Sequence, residues 1–165
     1  MAEEAETPAP ATMLERVFLV VADETEEMGN ALRFAGRRAQ HSGGRVALLA
    51  VIEPADLGNW LGIGQVIEDD ERRDAEALLH RMAERAYQMT GKMPILHLRE
   101  GDRREEVVKL LQEDKSISLL VLGTAMGSSP GPIVTYLMSH LGSSIRIPLT
   151  LVPGELTPEE IDALT

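Results

Sequence analysis

Three stretches of the chain are apolar at almost every position and rich in valine, isoleucine and leucine. They lie at residues 16–23, 45–54 and 117–123. Strands that are buried on both faces show this pattern, whereas strands with one solvated face alternate apolar and polar side chains. The three stretches therefore predict the central strands of a parallel sheet.

The segments between these stretches repeat apolar residues every three or four positions, which is the pattern of amphipathic helices. Asp102 stands where the N-cap of the third of these helices is expected. Near the end of the chain, Thr157, Pro158 and Glu160 have the spacing of a capping box, so residues 155–165 predict a short terminal helix or a tail. The four main helices are expected at about 26–42, 68–90, 103–114 and 132–144.

Two further segments predict strands at the edges of the sheet. Residues 93–100 alternate apolar and polar side chains, and Pro148 interrupts a strand expected from Arg146 to Val152. Proline lacks the amide hydrogen that a central strand must donate. Strands and helices alternate throughout, so right-handed crossovers give a doubly wound, open α/β sheet of five parallel strands with helices on both faces. Ligands of such sheets bind at the carboxyl ends of the strands, where the strand order reverses.

Composition narrows the class of protein. The chain has 165 residues, 44% of them hydrophobic, which suffices for one domain, assigned to 15–154. The acidic residues 1–14, rich in alanine and proline, predict a disordered leader. The net charge of −11 disfavours nucleic acid as a partner, because phosphates repel an acidic protein. With no cysteine, no signal peptide and no membrane-spanning run, we expect a soluble, cytoplasmic protein without a membrane partner.

The loop after the third apolar stretch is the first candidate for a ligand site. Gly127, Ser128, Ser129 and Gly131 precede the predicted fourth helix. Successive small residues can turn their amides inward and bind an anion at the positive end of a helix. Residues 116–145 contain no lysine or arginine, so the loop is not a lysine-containing P-loop. A plain connection between strand and helix is the alternative interpretation.

Asp23 is the second candidate, because it ends the first apolar stretch. It either caps the helix that follows or binds a ligand base or ribose at the point of reversal, and the two roles are compatible. The histidines lie on different predicted elements and no Gly-x-Ser-x-Gly motif occurs, so we assign neither a metal site nor a catalytic residue. Trp60 lies in a long loop that we interpret as a flap or a contact surface.

Several of these stretches together resemble the universal stress protein family. They are residues 16–54, residues 99–124 with Gly-Asp at the start and Gly-Thr at the end, and the closing strand at 147–153. The resemblance implies the strand order 3-2-1-4-5 and a homodimer through the last strand. For that dimer we expect an interface at Ile147, Leu149 and Leu151, on an edge that invites a partner strand.

The resemblance also implies where a nucleotide binds. ATP-binding members hold the nucleotide between the first and fourth strands, at positions matched here by Asp23, Val51 and Gly123. The family pattern is Gly, two residues, Gly, nine residues, and then Gly followed by Ser or Thr. It is incomplete here, since Met126 stands at the position of the second Gly and Tyr136 falls within the final pair. We therefore predict a non-enzymatic stress-response regulator with weak or absent nucleotide binding. An ATP- or AMP-binding module with slow ATP hydrolysis is the alternative.

Overall fold

The computed structural model describes residues 14–54, 63–127 and 129–165. Most of the predicted leader, Trp60 and the candidate Ser128 lie outside the described residues. In chain order the elements are β1 (Val17–Val21), α1 (Glu26–Ser42), β2 (Arg45–Ile52), α2 (Ile63–Thr90), β3 (Ile95–Glu100), α3 (Arg103–Glu113), β4 (Ile117–Thr124), α4 (Pro132–Met138), β5 (Leu149–Pro153) and α5 (Pro158–Leu164).

The five strands form one parallel sheet in the order β3-β2-β1-β4-β5, which confirms the predicted fold. The central strand β1 pairs with β2 on one side and with β4 on the other, where Val20 lies opposite Val121. Both predicted edge strands, β3 and β5, lie at the edges. This order brings the carboxyl ends of β1 and β4 together at the point where the strand order reverses.

Two hydrophobic cores lie on opposite faces of the sheet. One contains Leu32 of α1, Leu79 of α2 and Ile161 of α5, and the other contains Val107 of α3 and Leu137 of α4. Every residue of β1 is buried, because its side chains alternate between the two cores. This explains why its sequence is apolar at each position rather than at every second one.

Pro148 determines where the last strand begins. The ladder with β4 starts at Leu149, so the predicted start at Arg146 was wrong. Proline has no amide hydrogen, and Pro148 contributes only its carbonyl, which accepts a hydrogen bond from the Leu120 amide at 3.1 Å. Ile147, predicted to lie in this strand, precedes it.

The fourth helix is shorter than predicted, ending at Met138 rather than Ser144. The hydroxyl of Ser139 donates to the carbonyl of Tyr136 at 2.7 Å, and a ring nitrogen of His140 lies 2.8 Å from the same oxygen. These side chains occupy the acceptor that the next helical turn would use, so the helix stops there.

The C-terminal helix α5 is anchored on α1. It begins with the predicted capping box, in which the Glu160 amide donates to the Thr157 hydroxyl and the Thr157 amide donates to the Glu160 carboxylate. Ile161 is fully buried in the core beneath α1, and Asp162 accepts hydrogen bonds from two arginines of α1. Residues 155–165 therefore include a helix packed on the rest of the fold, while the boundaries of the domain assigned to 15–154 stay a prediction.

Within residues 14–54, 63–127 and 129–165, we find no helix with both the length and the apolar content that crossing a membrane requires.

Candidate functional site

A cavity of about 300 Å³ opens at the carboxyl ends of β1 and β4. Its walls come from the ends of these strands and from the first turns of α1, α3 and α4. Small-molecule sites in proteins span roughly 300–1,000 Å³ and favour the switch point of an open α/β sheet. The position and the size therefore suit a small ligand.

Asp23 lies on the rim of this cavity, where the sequence predicted it. Its carboxylate accepts hydrogen bonds from the amide of Thr25 at 2.9 Å and from the hydroxyl of the same residue at 2.5 Å. Thr25, not Asp23, is the N-cap of α1, so of the two interpretations of Asp23 the one as a helix cap was wrong. Asp23 instead fixes the turn that leads into the helix, and its own orientation is fixed in return.

Gly123 also lines the cavity, but its lack of a side chain has a packing reason. A Cβ atom at this position would collide with the main-chain carbonyl of Glu27 in α1. Only glycine lets the helix approach β4 this closely. The presence of glycine here is therefore explained without a ligand.

The predicted loop after β4 contributes unequally to the cavity. Gly131 lies on its wall as the N-cap residue of α4, with a φ of 104°. Gly127 also has a positive φ, 124°, yet neither it nor the exposed Ser129 belongs to the wall. Of the three candidate loop residues that the structure describes, only Gly131 borders the cavity.

Val51 lies in a second cavity, of about 460 Å³, between the sheet and α2. Asp23 and Arg103 line both cavities. One end of the sheet therefore brings together the candidate positions Asp23, Val51 and Gly123. They lie on either side of the rim that the two cavities share. Their role in binding a nucleotide stays a prediction.

The sequence interpretation missed the cationic side chains of the site. Arg103 and Arg104 begin α3 and line the first cavity. The guanidinium of Arg104 donates to Asp102 at 2.8 and 3.2 Å, and Glu53, just after β2, accepts a hydrogen bond from the Arg103 amide at 3.2 Å. The sequence did contain a signal for these two cations, since both arginines follow the predicted N-cap Asp102 at the carboxyl end of a strand.

The two residues that depart from the family pattern lie away from the cavity wall. Met126 is 71% exposed to solvent. Tyr136 turns toward α3, where its ring lies 5.4 Å below the guanidinium of Arg104, and it stacks on His140 with a centroid distance of 4.2 Å. Neither side chain narrows the cavity.

Charge is unevenly distributed in the wall of the cavity. Hydrogen bonding from Arg104 lowers the pKa of Asp102 to about 2, so this pair stays ionised and neutralises itself. Outside this pair, the wall has three carboxylates, from Asp23, Glu27 and Glu53, and one guanidinium, from Arg103. The charged lining residues are Asp23, Glu27, Glu53, Asp102, Arg103 and Arg104.

Among the described residues, no group of three or more histidine, aspartate or glutamate side chains is placed to hold a metal ion.

The family comparison matches most of the chain. The model described as "Universal stress protein family" matches residues 15–141. No curated protein is matched in a direct comparison.

Solved structures support the same fold. Universal stress protein UspA from Lactobacillus plantarum is similar with a TM-score of 0.68 at 15% identity, covering 84% of this chain and 97% of that one. The universal stress protein from Archaeoglobus fulgidus in complex with dAMP has a TM-score of 0.58 at 17% identity, covering 85% and 99%. A family protein from Arabidopsis thaliana with AMP bound has a TM-score of 0.56 at 14% identity, covering 84% and 91%. At these identities the likeness concerns the fold.

Proposed function

The chain belongs to the universal stress protein family, and we propose that it is a non-enzymatic, cytoplasmic stress-response regulator that binds AMP or a similar nucleoside monophosphate. The observation that carries this proposal is the cavity at the reversal of the strand order, bordered by Asp23 and Gly123. Two structures of similar fold hold AMP and dAMP, which supports an adenine nucleotide as the class of ligand.

Charge and size favour a monophosphate over ATP. Fixed carboxylates such as Asp23 and Glu53 suit the hydroxyl groups of a ribose, which donate hydrogen bonds. A triphosphate would bring several more negative charges into a wall where carboxylates already outnumber guanidiniums, and like charges at close range repel strongly. The volume of about 300 Å³ also lies at the lower limit for ligand sites.

Titration calorimetry with AMP, ATP and adenosine tests this proposal. We expect AMP to bind with a Kd of about 1 mM or lower and ATP to bind more weakly than AMP. Asp23→Asn should weaken AMP binding by about tenfold, because a charged acceptor of the ribose becomes neutral. Asp70→Asn on the exposed face of α2 is the matched control and should bind AMP like the wild type.

Two results would contradict the proposal. A flat titration with AMP would remove nucleotide binding altogether. Tighter binding of ATP, with release of phosphate over time, would instead favour the alternative of a slow ATP hydrolase.

We also propose that the protein forms a homodimer through β5. This strand lies at one edge of the sheet, where its outer hydrogen-bonding groups are available to a second copy. Leu151 is 39% exposed, whereas Ile147 and Leu149 are partly buried against the core that contains α3 and α4. Leu151 is therefore the side chain of the predicted interface best placed to contact a partner.

A further inference from the structure

We propose that Arg103 and Arg104 of α3, rather than the loop after β4, bind the phosphate of the ligand. This inference rests on the proposed binding of a nucleoside monophosphate. It concerns the residues that recognise the phosphate and therefore decide between a nucleotide and a nucleoside.

Arg103 has a donor that the described residues leave unused. Its side chain lines both cavities, and its Nε atom is buried without a hydrogen-bond partner in the part of the chain that the structure describes. A buried donor without an acceptor is costly, and buried polar atoms are nearly always paired. Nε itself has almost no accessible surface, so a phosphate oxygen on the shared rim would contact the terminal Nη atoms of this guanidinium, which make no hydrogen bond to the described residues.

Arg104 is held in place for a second contact. Its Nε and Nη2 atoms donate to the two carboxylate oxygens of Asp102, and its plane lies over the ring of Tyr136. A guanidinium has five N–H donors in a fixed fork, so these bonds leave others for an anion. Because the group is already ordered, little side-chain entropy is lost when a phosphate binds.

The main chain at the start of α3 does not supply the anion site. The amides of Arg104 and Glu105 donate to the carboxylate of Asp102, and the amide of Arg103 donates to Glu53. The first-turn donors that usually bind phosphate at a helix N-terminus are therefore already paired. The recognition has to come from the two side chains.

The loop after β4 has less to offer. Residues 116–145 contain no lysine or arginine. Gly127 and Ser129 lie away from the cavity wall, and Gly131 borders it without a side chain. The guanidiniums of α3 are thus the cations of this cavity, within the residues that the structure describes.

The test compares AMP with adenosine, which lacks the phosphate. We expect the wild type to bind AMP at least tenfold more tightly than adenosine, because charge-assisted hydrogen bonds to a phosphate are strong. Arg103→Ala should weaken AMP binding by roughly 10- to 100-fold and leave adenosine binding unchanged. Arg103→Lys should restore part of the preference for AMP, and Arg104→Ala should also reduce it.

Controls separate a local contact from a general loss of charge. Arg146→Ala removes the same side chain from a surface near the amino end of β4, and it should leave both affinities unchanged. Circular dichroism of each variant checks that the fold is retained. Equal weakening of AMP binding by Arg146→Ala would overturn the inference, since net charge alone would then account for the effect.

The loop hypothesis has its own variant, Ser129→Ala. Loss of the preference for AMP in this variant, with the preference intact in Arg103→Ala, would assign the phosphate to the loop and overturn the inference. Equal binding of AMP and adenosine to the wild type would overturn the inference alone, because a ligand would bind without phosphate recognition. Binding of neither compound would overturn the proposed function together with it.

Discussion

At Gly123 the main chain of α1 lies so close to β4 that no side chain fits between them. Gly123→Ala should therefore lower the free energy of unfolding by about 1–3 kcal/mol, the usual cost of overpacking a core. Urea denaturation monitored by circular dichroism measures this loss.

Gly29→Ala in α1 is the matched control. A Cβ atom there would have the Arg85 Nη2 atom as its nearest neighbour, at 3.8 Å. Alanine within a helix is more stable than glycine by about 0.5–1 kcal/mol, so this variant should be slightly stabilised. Unchanged stability of Gly123→Ala would show that α1 yields more easily than its packing implies.

Single residues of the candidate site differ in how far the sequence predicts them. Asp23 and Gly123 follow apolar strands, and the carboxyl ends of parallel strands meet at one end of the sheet, so their positions on the rim were predictable. Arg103 and Arg104 were missed because charged residues at a helix start are usually solvated. Only the packing of α3 against α4, β2 and β3 brings their side chains to the cavity.

At the scale of the element, the attachment of α5 to α1 depends on Asp162. Its carboxylate accepts hydrogen bonds from Arg33 at 2.6 and 2.8 Å and from Arg37 at 2.9 and 3.0 Å. Hydrogen bonding from Arg33 first, and from Arg37 next, lowers the pKa of Asp162 from its ordinary value of 3.8 to about 2. The folded state therefore favours the ionised form.

This pKa gives a pH dependence with a definite sign. A carboxylate whose pKa is depressed by folding stabilises the protein above its unfolded pKa, and the stabilisation is lost as pH falls through the folded pKa. Asp162→Asn should lower the Tm at pH 7, and its difference from the wild type should shrink between about pH 4 and pH 2. Thermal unfolding at several pH values measures both.

The control for this prediction is Asp70→Asn. Asp70 and Arg73 form an exposed pair within α2, with 63% and 75% of their side-chain surfaces accessible to solvent. Exposed pairs of this kind contribute little to stability, so the variant should unfold like the wild type at every pH. A constant difference between Asp162→Asn and the wild type down to pH 2 would mean that packing, not charge, holds α5.

The elements themselves were predictable, but several of their ends were not. Apolar patterns predicted the five strands and the four main helices, and a capping box predicted α5, whereas local hydrogen bonds set the ends of α4 and β5. Helix α2 begins at Ile63 rather than near Glu68, since no proline interrupts residues 63–71 and the acidic residues from Glu68 onward lie beyond its first turn. Periodicity reports the buried face of an element and carries little information about its ends.

At the scale of the whole molecule, the proposed dimer can be tested at the two edges of the sheet. Leu151 on β5 and Leu96 on β3 are both 39% exposed, so they form a matched pair. Leu151→Asp should convert the dimer to a monomer, because a charge would be buried without a partner at the interface. Leu96→Asp should leave the dimer intact.

Size-exclusion chromatography with light scattering measures the particle mass of both variants. A dimer that survives Leu151→Asp and dissociates with Leu96→Asp would place the interface on the β3 edge instead. A monomeric wild type would remove the proposed dimer.

The strand order of the whole sheet was predicted by the resemblance to the family, not by periodicity. Apolar stretches indicate which segments are central, and Pro148 indicates one edge, but neither determines which central strands are neighbours. The observed order places β1 between β2 and β4, and the shared rim at Asp23 and Arg103 follows from it.

The contact between α1 and Gly123 also restricts how the cavity can adapt to an occupant. The main chain of α1 already contacts β4, so the wall that α1 forms cannot move further into the cavity. Contraction around a small occupant must come from the opposite side, where α3 and α4 meet through the contact of Arg104 with the ring of Tyr136. A narrower ligand would therefore draw the first turn of α3 inward, while α1 keeps its position against β4.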